Sequence, residues 1–134
     1  MRFAKCYTAI MRCPDLSLSA KVVYACLKTY TSEKDHTAWP AQKTIAKQNG
    51  IGERGVRKAL RELWCWEILQ WNSGYSGRAN IYYLTDQKGA ARIARGDGPM
   101  VPPDPRLMVP PKETHSNGAL QEEPVEYQPK RRAK

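Results

Sequence analysis

The 134-residue sequence lacks the residue patterns that metal sites and most catalytic sites require. Its four cysteines include no CxxC pair, and only two histidines accompany them, so no zinc-ligand spacing arises. Clustered carboxylates and a phosphate-binding loop are missing as well. We therefore predict a protein that is not an enzyme, has no cofactor or metal, and keeps its cysteines as free thiols.

Long apolar runs are also missing, so the sequence predicts no membrane-spanning helix. The first ten residues, MRFAKCYTAI, hold too short an apolar core for a secretory signal peptide. The expected location of the protein is the cytoplasm.

Positive charge is abundant and unevenly distributed. The chain has 22 basic and 13 acidic side chains, a formal net charge of +9. Residues 1–84 hold 13 basic and 6 acidic side chains, a net charge of +7, whereas residues 85–134 hold 9 and 7, a net charge of +2. The basic excess of the first part favours a polyanion as its partner.

The stretch from Gln42 to Arg61 has the spacing of a helix-turn-helix. We predict a short helix from Pro40 to Asn49, with the proline in the first helical position. Gly50 supplies the left-handed turn that ends this helix. A further helix is expected from about Gly52 to Trp66.

This further helix has an apolar and a basic face. Spacings of three and four residues give one apolar face, made of Val56, Ala59, Leu60 and Leu63. Rotation by about 100° per residue gathers four cations opposite to it within about 100° of arc, namely Arg54, Arg57, Lys58 and Arg61. Such a face suits a recognition helix in a DNA major groove. The alternative is a basic face that only keeps the helix solvated.

Two other regions supply candidate DNA contacts. Lys43 and Lys47 lie on the outer side of the preceding helix, where they would reach phosphates. Residues 67–71 and 79–84 are β-prone and flank the turn-forming residues 72–78, which predicts a hairpin, the wing. Within the wing, Arg78 is a candidate to insert into a minor groove or to contact a phosphate. Tyr75 is the other candidate, with packing within the turn as its alternative.

The segments before the helix-turn-helix give weaker signals. We expect a strand or an extended arm at Phe3–Met11, and a solvated loop at Thr31–Thr37. Between them we predict a helix from about Ala20 to Tyr30, capped by Ser17 or Ser19. Its buried stripe would comprise Val22, Val23, Cys26, Leu27 and Tyr30. Lys21 and Lys28 would face outward, and in a homodimer formed by this helix Lys21 and Tyr24 would lie near the contact.

The composition changes near residue 86. Residues 1–86 are expected to form a winged helix-turn-helix domain, and residues 87–134 a Pro-rich, largely disordered tail with a frayed helical turn around residues 90–94. Eight of the ten prolines lie between Pro99 and Pro129, and the sequence MVPP occurs there twice. This 99–129 segment is either a linker or a polyproline ligand for a protein partner.

Three stretches of the chain together resemble a known family. These are LSLSAKVVYACL (16–27), WPAQKTIAKQNGIGERGVRKALRELW (39–64) and GRANIYYL (77–84). They are similar to the helix-turn-helix domains of phage and plasmid replication proteins, such as the N-terminal domains of DnaD-like primosomal and RepA-type initiators. Over residues 3–84 the resemblance implies a mainly α fold with a small β-hairpin, in which three helices and a wing bind double-stranded DNA near a replication origin or an operator.

The sequence departs from this family at the start of the predicted recognition helix. Where the family usually has Ser or Thr, which cap the helix and bind phosphate, this chain has Gly52 and Gly55, and Glu53 adds negative charge. Three functions therefore stay open. They are DNA binding in replication initiation or its control, transcriptional repression of a mobile element, and a protein-interaction module or phage-encoded inhibitor that binds an acidic protein through the basic face.

Overall fold

Five helices and one small sheet make up the part of the chain that the computed structural model describes, residues 3–31, 34–72 and 80–100. In chain order the elements are α1 (Thr8–Met11), α2 (Leu18–Tyr30), β1 (Thr37–Ala38), α3 (Gln42–Asn49), α4 (Glu53–Cys65), β2 (Leu69–Asn72), β3 (Ile81–Leu84) and α5 (Asp86–Ala94). The expected fold class, mainly α with a β-hairpin, is confirmed. None of these helices is long and apolar enough to cross a membrane.

The helix-turn-helix is built as the spacing predicts. Gly50 takes the left-handed conformation, with φ +67°, at the end of α3, and the Ile51 amide donates to the Ala46 carbonyl at 3.1 Å. The expected place of Pro40 is wrong, because α3 begins at Gln42. Ala41 remains extended as the N-cap, and its carbonyl accepts the first helical hydrogen bond, from Ile45 at 3.0 Å.

Helix α2 begins two residues earlier than expected because Ser17 provides the cap. The Ser17 hydroxyl accepts a hydrogen bond from the Ala20 amide at 3.1 Å, which satisfies one of the free donors of the first turn. The buried stripe also differs from the prediction, since Val22 and Cys26 are only half-buried. The buried side chains of α2 are Ala20, Val23, Tyr24, Leu27 and Tyr30.

The sheet has three antiparallel strands in the order β1-β3-β2. Its β2–β3 hairpin was expected, with Trp71 opposite Tyr82. Strand β1 was not, since Thr37 was assigned to a solvated loop, yet it lies opposite Tyr83. Two residues are too few to show an alternating pattern in the sequence. The core lies where α2, α3 and α4 meet each other and this sheet.

A buried polar cluster joins the N-terminal segment to α2 and α5. The Tyr24 hydroxyl accepts from the Tyr7 amide at 3.1 Å and donates to Asp86 Oδ2 at 2.9 Å, and Lys28 Nζ lies 2.9 Å from the same oxygen. Burial raises the pKa of Tyr24, so its hydroxyl stays protonated and donates. Two expectations are therefore wrong: Lys28 does not face outward, and Tyr24 is too deeply buried to lie at a dimer contact.

The two ends of the described chain pack together. Residues 8–11 form the short helix α1 instead of a strand, and α1 packs against α5. The expected frayed turn at residues 90–94 belongs to α5, a full helix that starts at residue 86, where we placed the domain boundary. The Met100 amide still donates to the Cys65 carbonyl at 2.7 Å. The remaining tail predictions fall on residues 101–134, outside the described residues.

Gly89 of α5 has no room for a side chain. A Cβ atom there would overlap Ile68 Cγ1 and would lie 3.1 Å from both Ile68 Cα and the Trp66 carbonyl oxygen. Gly55, in α4, offers a matched helical position, because its Cβ would meet only Ile51 Cβ at 3.9 Å. We expect Gly89→Ala to lower the free energy of unfolding by about 1–3 kcal/mol. Gly55→Ala should raise it by about 0.5–1 kcal/mol. Urea unfolding followed by circular dichroism measures both, and equal signs would contradict this packing.

The cap of α2 gives a second stability test. Ser17→Ala removes the cap and a hydrogen bond to Glu62, and should cost about 1–2 kcal/mol. Ser19 is exposed within the first turn, so Ser19→Ala should change stability by less than about 0.5 kcal/mol. Thermal unfolding of the two variants shows which serine, Ser17 or Ser19, caps α2. An equal loss in both would contradict the assignment of Ser17.

Candidate nucleic-acid interface

Helix α4 is oriented by its apolar face. Val56, Ala59, Leu60 and Leu63 are all buried, as the spacing predicts. The opposite face therefore points away from the core and carries the four predicted cations. Arg54 and Lys58 are exposed, whereas Arg57 and Arg61 are half-buried. The structure thus places all four cations on one side of α4, two of them exposed and two half-buried.

One carboxylate of α4 is held away from this basic face. Glu62 Oε1 accepts from the Ser17 hydroxyl and Glu62 Oε2 accepts from the Ser17 amide, both at 2.7 Å. These two hydrogen bonds join α4 to the start of α2. Glu62 lies about 40° from Lys58 around the helix, at the edge of the basic face, and the two bonds to Ser17 direct its carboxylate toward α2.

Helix α3 adds two exposed cations beside α4. Lys43 and Lys47 are four residues apart and both exposed, so they share one face of the helix. The opposite face is buried and includes Gln42, Ile45 and Ala46. Since α3 packs directly on α4, the cations of the two helices belong to one helix-turn-helix unit.

Gln42 is a site residue that the sequence reasoning missed. Its side chain is 1% exposed, and its Oε1 accepts a hydrogen bond from Arg57 Nη1 at 3.2 Å. The signal that would have found it is spacing, because Gln42 lies three and four residues before the buried Ile45 and Ala46. A polar residue on a buried helix face usually has a hydrogen-bond partner, so its presence in the sequence predicts such a contact.

The start of α4 has no side-chain cap. Gly52 is the N-cap, in an extended conformation with φ −80° and ψ 162°, and Glu53 is exposed in the first turn. The helix dipole favours a carboxylate at this end. Glu53 therefore suits the helix, but it would repel a phosphate placed on the same amides.

The base of the wing is attached firmly to α4. The Ile68 amide donates to the Leu63 carbonyl at 2.9 Å. Glu67, left-handed at φ +60°, accepts at its carbonyl from Thr85 Oγ1 at 2.7 Å, and its carboxylate pairs with Arg92 at 3.0 Å. The two predicted wing contacts, Tyr75 and Arg78, lie outside the described residues.

The cysteines show no sign of reactive or metal-binding chemistry within the described chain. All four are free thiols. Burial raises the pKa of Cys6, Cys26 and Cys65, although the Arg61 charge acts to lower that of Cys65. Across residues 3–31, 34–72 and 80–100, no three His, Cys, Asp or Glu side chains group as ligands for a metal ion.

Comparison with known families agrees with this geometry. A family model described as a helix-turn-helix domain matches residues 15–63. The helix-turn-helix that α3 and α4 form lies within this match up to the last turn of α4. The match runs from the turn before α2 to the last turn of α4, so it includes the Ser17 cap and every described cation of the candidate interface. A helix-turn-helix domain indicates DNA as a partner. No curated protein and no solved structure matches the chain.

The charge of Glu53 offers a test of which surface meets DNA. If the start of α4 in the helix-turn-helix domain approaches phosphates, Glu53→Gln removes a repulsion of roughly 1 kcal/mol and raises duplex affinity about fivefold at low salt. Asp15→Asn is the matched control, because Asp15 is exposed outside the helices. Fluorescence anisotropy with a labelled duplex measures both. An equal gain in the two variants would mean that only net charge matters.

Proposed function

We propose that this protein binds double-stranded DNA in a sequence-directed manner, with α4 as its recognition helix, in the initiation or control of replication of a phage or plasmid. The observation that carries the DNA-binding part is the outward basic face of α4 within a helix-turn-helix domain. Replication is proposed from the resemblance of residues 16–27, 39–64 and 77–84 to initiator domains. No catalytic step belongs to the proposal.

The contacts divide between two kinds of recognition. Arginine binds guanine edges with paired hydrogen bonds in the major groove, so Arg54, Arg57 and Arg61, with Lys58, are the proposed base readers. Lys43 and Lys47 on α3 are the proposed phosphate contacts, which set register and supply most of the affinity. Arg78 and Tyr75 of the wing complete the proposed site.

The size of this surface limits what one copy achieves. A few phosphate contacts give salt-sensitive, micromolar non-specific binding, and each correct base pair adds about 1–3 kcal/mol. Strong specificity therefore favours two copies or tandem sites. In the α2 contact that we expected for a homodimer, Tyr24 is buried and cannot take part, and Lys21, which is half-buried, stays a candidate.

A transcriptional repressor would use the same helix-turn-helix domain in the same way. The two roles differ in where the target lies, at an origin or at an operator, and in what else binds there. Mapping the bound sites on the DNA that carries the gene distinguishes them. In either role, the 99–129 segment would in addition bind a protein partner.

A second candidate is a module that binds an acidic protein through the basic face. Two observations favour it: the start of α4 has no side-chain cap, and Glu53 is exposed where a phosphate would lie. Binding to a protein would not show the steep, linear dependence on the logarithm of salt concentration that follows from counterion release on DNA. Salt dependence therefore discriminates the two candidates.

The decisive experiment measures binding of the full chain to a random-sequence duplex at two salt concentrations. The test variant is Arg54→Ala, Lys58→Ala, which removes two exposed cations of α4. We expect at least a tenfold loss of affinity and a salt slope reduced by about 2. A random-sequence duplex offers no preferred bases, so both cations would contact phosphates there, and each such contact contributes roughly one unit of slope. Circular dichroism verifies that this variant, and the control variant described next, remain folded.

The matched control is Arg12→Ala, Lys88→Ala. It removes the same charge from exposed positions at the end of α1 and in α5. This variant should retain most of the affinity and nearly the full salt slope. No binding by the wild type at low salt would contradict the proposed function, and an equal loss in both variants would show that α4 has no special part in binding.

A further inference from the structure

Arg57 differs from the exposed cations of α4 by being attached to α3. It is half-buried, and its Nη1 donates at 3.2 Å to Oε1 of Gln42, the first residue of α3. Gln42 is almost completely buried, at 1% exposure. The buried Gln42 amide thus holds Arg57, one of the two half-buried arginines of α4.

This hydrogen bond restricts where Arg57 can move. A flexible arginine side chain loses rotamer entropy when it binds a ligand, and it loses less where the protein already restricts its position. If Arg57 turned away, the buried Gln42 oxygen would lose this hydrogen bond, which opposes that movement. The guanidinium has five N–H donors, so the bond to Gln42 leaves others for a ligand.

We propose that Gln42 is a positioning residue that holds the Arg57 guanidinium ready to read one guanine. The inference rests on the proposed function and deepens it, because it assigns base discrimination to a pair of residues from both helices of the helix-turn-helix. Lys43 and Lys47, which are exposed on α3, contribute affinity that depends less on sequence. Guanine suits the pair because its O6 and N7 lie side by side and accept two parallel donors.

The test is a double-mutant cycle read as base discrimination. Preferred duplexes are first selected from a random library with the wild-type full chain. Affinities are then measured for the preferred duplex and for its single base-pair variants. Arg57→Ala should lose about tenfold discrimination at one G·C pair, and Gln42→Met, which keeps the length of the side chain but removes the acceptor, should lose about fivefold at the same pair.

In the Arg57→Ala background, Gln42→Met should cause no further loss at that pair. Lys47→Ala is the control for a phosphate contact, and should weaken binding to all the duplexes alike. A merely structural role of Gln42 would instead reduce affinity for every duplex by the same factor. Gln42→Glu keeps an oxygen acceptor in place and should retain discrimination, which provides the test if Gln42→Met does not fold.

The outcomes separate this inference from the proposed function. If the wild type binds no duplex at low salt, the proposed function fails and this inference fails with it. If the wild type binds without preferring any base pair, or if the two losses add fully, the pairing of Gln42 with Arg57 is wrong while DNA binding stands. Loss of discrimination in Gln42→Glu would overturn the inference as well.

Discussion

The packing of the apolar face of α4 against α2 and α3 is the constraint on which the rest of the structure depends. Once Val56, Leu60 and Leu63 are buried, the rotation of the helix is fixed, and its basic face must point to solvent. The double hydrogen bond between Ser17 and Glu62 fixes the same rotation from the other side. The positions of the α4 cations therefore follow from the apolar residues buried on the other side of the helix.

A second set of contacts ties the ends of the described chain to this unit. Asp86 of α5 forms an ion pair with Lys28 and accepts a hydrogen bond from the Tyr24 hydroxyl. Because the same hydroxyl accepts from the Tyr7 amide, α2 holds both α5 and the N-terminal segment. A buried pair of this kind gives little net stability, because desolvation offsets much of the attraction, but removing one partner leaves an uncompensated charge. Its effect is to fix one arrangement of α5, whose Gly89 then lies directly on Ile68, at the turn that leads from α4 into the wing.

The sequence allowed prediction of those features that depend on near neighbours in the chain. Periodicity located α3 and α4, and the glycine at position 50 located the turn, because a left-handed residue and an apolar stripe are local signals. Strand β1 depends on pairing with β3, more than forty residues away, and α5 depends on contacts with α1 and α2. For the same reason the sequence indicated which cations share a face of α4, but not that Gln42 reaches Arg57.

The contact between Gln42 and Arg57 also bears on the proposed role of α4 in base recognition. With Gly52 as its N-cap, α4 has no serine or threonine hydroxyl at its start to bind a phosphate, and the exposed Glu53 lies beside the exposed Arg54. In the proposed function, an arginine held by the buried Gln42 would compensate, because its orientation would come from the protein core and not from the backbone of the DNA. Discrimination and affinity would consequently be separable in this domain. Affinity would follow the number of exposed cations and would fall steeply with salt, whereas discrimination would follow a partly buried hydrogen bond that salt screens much less.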